Sequence, residues 1–242
     1  MAFERFKVLT FDVVGTLIDF EKGVLDSVRQ LNPDAGTALS DDDIFKPYVE
    51  GRDLFPGRSS QAMADVYRHL AGKLGLDARD EVAAAFQARI LQHPAFPDAI
   101  EALKRLRTRF RLVAMTNADR MTYTSYAHTL DNPFHDSVTA DETGVAKPNA
   151  RFFSFNEGRQ SAFGYKKEEI LHVAQSQHHD IGVARELGYT VCWIERRQGQ
   201  VGFGGSPDPK TVTKPDFHFA TLAQLADAVE ADAVGAFARR AA

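Results

Sequence analysis

Residues 6–17 read FKVLTFDVVGTL. Up to Phe11 the stretch is rich in apolar residues and has the length of a buried strand. It runs straight into Asp12, and from there into a turn at Gly15 and Thr16. A carboxylate just past the end of a buried strand is a costly place for a charge. Asp12 therefore reads either as a turn or helix-capping residue or as a reactive group. Four more β-rich runs follow, at residues 112–115, 170–174, 190–194 and 217–219, with helical stretches separating several of them. After Pro97, the apolar positions Ile100, Leu103, Leu106 and Phe110 fall on one helix face. Residues 180–187 followed by Gly188 read as a short helix with a glycine stop. A last helix begins near Thr221 and turns Leu222, Leu225 and Val229 inward. Strands alternating with helices predict an α/β fold, a Rossmann-like parallel sheet core with helices on both faces. In such sheets ligands sit at the carboxyl ends of the strands.

One region interrupts the alternation. Between Ile18 and Phe96 only helical patterns occur: Val24, Val28 and Leu31; then Met63, Val66, Tyr67, Leu70 and Leu74, closed by Gly75; then Val82, Phe86 and Ile90. An insert of this kind directly after the first strand predicts a helical cap over the active edge of the sheet. The expected division is a core of residues 1–17 and 97–242 and a cap of residues 18–96. Residues 198–216, QGQVGFGGSPDPKTVTKPD, are rich in Gly and Pro and read as a long surface loop.

Composition excludes several classes. The 242 residues suit one domain plus an insert, and 29 Lys and Arg against 33 Asp and Glu are scattered without a basic stripe, so nucleic acid is not an expected partner. No apolar run approaches the roughly 20 residues that span a bilayer, and no membrane partner is expected. The opening MAFERFKVLTF places charges where a signal peptide needs apolar residues. The single cysteine, Cys192, can form no internal disulfide and no thiolate zinc cluster, and reads as a buried apolar residue. Together these features predict a reduced, cytoplasmic protein.

Three segments join Asp12 in a pattern. Met115-Thr116-Asn117 follows the strand at 112–115, and Lys147-Pro148 lies in a loop-like stretch. Gln175-Ser176-Gln177-His178-His179-Asp180 follows the strand at 170–174. These clusters would meet along one edge of the sheet. The ordered set FDVVGTLIDFE (11–21), FPDAIEAL (96–103), TNAD (116–119), KPNARFF (147–153) and LHVAQSQHHDIGVARELG (171–188) resembles the haloacid dehalogenase superfamily over essentially the whole chain. The resemblance is closest to the 2-haloacid dehalogenase (type II) group and its relatives.

The resemblance implies that Asp12 is a nucleophile that forms an aspartyl ester, which water then hydrolyses, splitting one hard substitution into two easier steps. Thr116 and Asn117 would orient the carboxylate, and Lys147 would sit beside it and keep it ionised. The plain alternative for Lys147 is a solvated loop lysine. Thr16 would support Asp12 by a hydroxyl hydrogen bond or simply close the turn. Ser176 and Asp180 complete the expected catalytic set, with Asp180 positioning Lys147 or activating water. His179 reads as a second base near neutral pH, or, with His178, as part of a helix N-terminal turn with one ring outward. A cap arginine is expected near the substrate carboxylate, with Arg52 and Arg58 as candidates. Val14, Gln177 and Trp193 are the other expected substrate contacts, Trp193 as a wall or core residue.

Departures from the superfamily pattern shape the chemistry. Its phosphatases carry a second Asp two residues after the nucleophile as general acid and base, and here that position is Val14. Loss of a positioned acid and base costs typically ~100- to 10,000-fold. Those phosphatases also hold Mg²⁺ with acids after the fourth strand, where Gln175 stands here, so neither a metal nor any other cofactor is expected. The dehalogenases carry Ser-X-Asn-X-X-Asp there, and here the matching positions are Gln175, Gln177 and Asp180. A halide leaves without needing a proton, so a 2-haloacid is the expected substrate, a small carboxylate. Ring opening of a protonated cyclic amino acid such as azetidine-2-carboxylate also fits. A Mg²⁺ phosphatase and a non-catalytic metabolite-binding relative are weighed against these. Dimers are frequent among the relatives this chain resembles, which leaves a homodimer open.

Overall fold

The computed structural model describes residues 3–240. Six strands form a wholly parallel sheet in the order β3-β2-β1-β4-β5-β6. They are β1 (Val8–Phe11), β2 (Arg111–Thr116), β3 (Asp136–Thr139), β4 (Ile170–Ala174), β5 (Thr190–Ile194) and β6 (Phe217–Phe219). The helices are α1 (Phe20–Leu31), α2 (Asp41–Leu54), α3 (Ser59–Leu74), α4 (Asp80–Arg89), α5 (Ala99–Arg107), α6 (Arg120–Thr129), α7 (Ala140–Thr143), α8 (Ala150–Ser161), α9 (Gly182–Glu186) and α10 (Leu222–Arg240). The alternation read from the sequence is thus an α/β fold with a Rossmann-like core.

A parallel sheet covered on both faces needs strands that are apolar throughout rather than alternating. Every residue of β1 and of β4 is buried. Two buried clusters result, and both draw on the central strands: one holds Leu9, Phe11 and Leu171, the other Val8, Val113 and Ile170. The sequence places β1 at residues 6–11, but Phe6 closes a tight turn on Phe3 and the paired register begins at Val8, opposite Arg111 and Ile170. One strand, β3, has no signal in the sequence. Its DSVT is an edge strand with two half-buried residues, so it carries no apolar run.

The helices α1 to α4 follow β1 directly. The sequence patterns indicate α1, α3 and α4 but not α2, which holds Pro47 in its interior. Its start is fixed locally, since Ser40 and Asp43 form a reciprocal capping box. The connectors into and out of the inserted helices are tied together. Ile18 bridges Ala95, the Asp19 amide donates to the Pro94 carbonyl, and the Phe96 amide donates to the Leu17 carbonyl. Arg196, just past β5, clamps this junction. Its guanidinium donates to the Thr16 carbonyl (2.9 and 3.0 Å) and to Asp98 (2.8 and 3.0 Å), and it lies over the ring of Phe96.

Two glycines in these helices have opposite surroundings. A Cβ on Gly23 of α1 would overlap the buried ring of His93, whereas one on Gly72 of α3 would meet nothing within 4 Å. Gly72→Ala should therefore stabilise the protein by about 1 kcal/mol through helix propensity. Gly23→Ala should destabilise it by roughly 1–3 kcal/mol through overpacking. Urea unfolding midpoints measure both, and a stabilised Gly23→Ala protein would contradict this packing.

Candidate active site

Because all strands are parallel, their carboxyl ends share one edge, and the polar clusters of the sequence gather there. Asp12 follows β1, Thr116 and Asn117 lie at the end of β2, and Gln175 and Ser176 follow β4. Gly15 takes a left-handed conformation (φ +89°), which turns the chain back so that Thr16 faces Asp12. The Thr16 hydroxyl donates to Asp12 Oδ2 (2.7 Å) and itself accepts from the Gln175 amide (2.8 Å).

Lys147 is the hub. Its buried ammonium donates to Asp12 Oδ1 (2.9 Å), to Asp180 Oδ1 (2.6 Å) and to the Met115 carbonyl (2.8 Å). All three of its protons are used. Burial works against the charge on Lys147, but the two carboxylates prevail and raise its pKa. Burial likewise opposes ionisation of Asp180, yet Lys147 and a hydrogen bond from His172 hold that carboxyl at about 2. At Asp12 burial wins: its pKa is raised, with Lys147 opposing and Asp180 adding to the rise. The site is thus a buried carboxylate with both oxygens held by hydrogen bonds.

Asp12, Lys147 and Asp180 open onto a cavity of about 370 Å³. Tyr48 and Arg52 of α2 and Met63 of α3 line it from the inserted helices. Val14, Thr116, Asn117, Ser176 and His179 also line it.

A family model for haloacid dehalogenase-like hydrolases matches residues 6–188. The chain belongs to the haloacid dehalogenase-like hydrolase family. It is 27% identical over 202 residues to haloacetate dehalogenase H-2 of Moraxella sp. (strain B), spanning 80% of this chain and 87% of that protein. It is 28% identical over 201 residues to an (S)-2-haloacid dehalogenase of Pseudomonas putida, spanning 79% and 85% of the two chains. In fold it is similar to the L-2-haloacid dehalogenase of Xanthobacter autotrophicus, with a TM-score of 0.73 at 18% identity over 93% of this chain and 98% of that one. It is therefore an enzyme of the hydrolase class.

In this haloacid dehalogenase-like hydrolase several residues sit differently from expectation. Asn117 does not reach Asp12. Its side chain donates to the Lys147 carbonyl (2.9 Å) and accepts from the Lys147 amide (2.7 Å), so it positions the lysine. The Thr116 hydroxyl accepts from the Ala118 amide (3.1 Å) and makes no bond to Asp12. Ser176 caps the next turn, accepting from the His179 amide (2.9 Å). That turn, Gln177–Ile181, is π-helical and precedes α9, so the helical path begins before the expected Asp180.

The near-neutral pKa expected for His179 does not hold. Burial, reinforced by Lys147, His178 and Arg52, brings it to about 4 against the pull of Asp180, so the ring is neutral at pH 7. Gln177 does not line the cavity, because its amide is paired with the backbone of Thr213. Trp193 does not line it either. It stacks on His218, and its indole donates to the Gln175 carbonyl (2.8 Å). Arg58 is paired with Asp141, whereas Arg52 lines the cavity and, among the described residues, has no carboxylate within ion-pair distance. Cys192 is buried, which pushes its thiol pKa up.

A divalent cation does not fit this donor set. The donor set holds only two carboxylates at the strand ends, Asp12 and Asp180, each already bonded through one oxygen to the Lys147 ammonium, and Val14 and Gln175 add no carboxylate. Among the described residues, no group of three or more His, Cys, Asp or Glu is placed to hold a metal. Nor, among them, is any helix long and apolar enough to cross a membrane.

Two site residues escape the sequence reading. His172, buried in β4, lies with Nε2 3.0 Å from Asp180 Oδ1 and Nδ1 2.9 Å from the Thr10 hydroxyl. An ionised carboxylate only accepts, so Nε2 carries a proton and donates to Asp180. The available signal is a lone histidine inside the apolar run ILHVA. His93 lines the cavity from the junction, its Nε2 without a partner among the described residues, and burial lowers its pKa to about 4.

Two predictions follow from these charges. Lys147→Met leaves two buried carboxylates without their cation and should destabilise the fold by about 3–5 kcal/mol at pH 7. Without the lysine the folded carboxyls titrate above their unfolded values, so the deficit should shrink as the pH falls toward 4; a deficit independent of pH would contradict the assignment. Separately, His93 and His179 titrate in the folded state below the unfolded value of 6.5. Between pH 6.5 and about 4 the unfolded chain binds more protons, so stability is lost as the pH falls through that window. His93→Gln should flatten this part of a stability–pH profile.

Proposed function

We propose that this hydrolase is a 2-haloacid dehalogenase that works through an ester on Asp12. The observation that carries this reading is the pairing, in one cavity, of a buried carboxylate whose neighbour two residues on is a valine with an arginine that, among the described residues, has no carboxylate partner. Asp12 supplies the nucleophile, and Arg52 supplies the cation for a substrate carboxylate. No acid at position 14 can protonate a leaving group, so a leaving group that needs no proton is favoured. The relatives named above, a haloacetate dehalogenase and an (S)-2-haloacid dehalogenase, support the same class.

An Asp12 oxygen attacks the α-carbon, and the bond to halogen breaks with its electron pair leaving on halide. Esterification removes the charge on Asp12, and the Lys147 ammonium is then set to polarise the ester carbonyl. Water attacks that carbonyl carbon, one of its protons passes through Asp180 to the departing alkoxide oxygen, and the ester C–O bond breaks with its electron pair on that oxygen. A 2-hydroxy acid departs while the second proton leaves to solvent and restores the Asp12 carboxylate. Asp180 Oδ2 is buried without a hydrogen-bond partner among the described residues, which leaves it free to orient the water and take its proton. Residues 18–96 act as the cap, and their closure excludes bulk water around the carboxylate.

Halide release from 2-chloropropanoate tests the reading. Release should persist in chelator, fall on the order of 10⁴-fold or more in Asp12→Asn, and show a KM raised roughly 10- to 100-fold in Arg52→Met. Full activity in Asp12→Asn, or a requirement for Mg²⁺, would overturn it. Ring opening of azetidine-2-carboxylate without halide release would transfer the same nucleophile to the cyclic amino acid.

A further inference from the structure

The segment 198–216 reads in the sequence as a surface loop, but part of it walls the active-site cavity. Gly205, Ser206 and Pro207 face the same space as Asp12. Long segments without regular structure inside a compact domain are usually functional, and this one is fastened at three places. Glu21, in the first turn of α1, accepts from Arg197 through Oε2 (2.6 Å) and from the Gly205 amide through Oε1 (2.7 Å). Gln177 pairs with the backbone of Thr213, accepting from its amide (2.9 Å) and donating to its carbonyl (3.3 Å). The Ser206 hydroxyl donates to Gln175 Oε1 (3.4 Å).

The approach is close enough to demand glycine. A Cβ at Gly204 would overlap Glu21, and one at Gly205 would lie 2.6 Å from the ring of Phe20, itself a cavity residue. Gln175 and Gln177 are the two positions where this chain departs from the dehalogenase pattern. Neither side chain bonds Asp12, and both hold the strap.

We propose that residues 198–216 are a specificity strap: Gly205–Pro207 form the wall that limits the α-substituent of the substrate, and Glu21 is the latch that holds this wall against the inserted helices. The inference rests on the haloacid reading above for its choice of substrates. Glu21 makes no bond to Asp12, Lys147 or Asp180, so its effect is one of positioning.

The test compares wild type with Glu21→Ala, and with Glu21→Gln, which keeps an acceptor for Gly205. It uses two measurements: hydrogen exchange of the peptides covering 198–216, and kcat/KM for chloroacetate, 2-chloropropanoate and 2-chlorobutanoate. Glu21→Ala should speed exchange across the strap at least tenfold and raise the ratio of kcat/KM for 2-chlorobutanoate to that for chloroacetate at least tenfold. Glu21→Gln should shift both less, and it carries the test if the alanine variant does not fold. Faster exchange with a ratio within twofold of wild type would overturn the wall, and unchanged exchange would overturn the latch. A wild type that releases no halide from any of the three would overturn the functional reading instead. The wall, defined by those substrates, would fall with that reading, and the latch would be decided by exchange alone, acceleration supporting it and its absence refuting it.

Discussion

One buried ammonium holds the catalytic edge together. Lys147 spans from the nucleophile candidate after β1 to Asp180 after β4 and bonds the end of β2 through Met115. Two carboxylates and one ammonium leave one net negative charge out of water, which is tolerable only while each group is fully hydrogen-bonded. The surrounding structure meets that demand at every oxygen but Asp180 Oδ2, which has no hydrogen-bond partner among the described residues. Thr16 holds the second oxygen of Asp12, Asn117 fixes the backbone of Lys147 from both sides, and His172 donates to Asp180. The same ammonium bonds one oxygen of each carboxylate, so the electrostatics of the site and the stability of the edge have a common origin.

Much of this edge is legible in the sequence because parallel sheets impose a simple rule. Buried strands read as mainly apolar runs, so residues 170–174 and 190–194 are found with the bounds the structure shows. The residues just past each run then land on the active edge, which brings out Asp12, Asn117 and Gln175 without coordinates, with Asp180 in the turn that follows. The rule fails where burial is partial. β3 is polar because it is an edge strand, and α2 carries Pro47 and owes its start to a cap rather than to periodicity.

The roles of individual side chains were harder to read, because a role depends on what a side chain meets across the fold. Asn117 has the chemistry to donate to Asp12, but its partner proves to be a main chain 30 residues away. His179 has a near-neutral intrinsic pKa that burial removes. His172 sits in a strand where its ring would pass as core, and only the pairing of β1 with β4 brings Thr10 to it. Gln175 and Gln177 look like damage to a water-activating motif until the segment 198–216 is seen bonded to both. In each case the missing information is a long-range contact.

The central claim is that Asp12, held by Lys147, takes the substrate onto itself. A single turnover of 2-chloropropanoate in ¹⁸O-water with enzyme in excess, followed by mass analysis of the peptide carrying Asp12 and of the product, addresses it most directly. The account predicts one ¹⁸O in the Asp12 carboxylate and a product hydroxyl free of label, since the first turnover transfers an enzyme oxygen to the product. Label in the product with none in the peptide would mean that water attacks the substrate directly, and would contradict it.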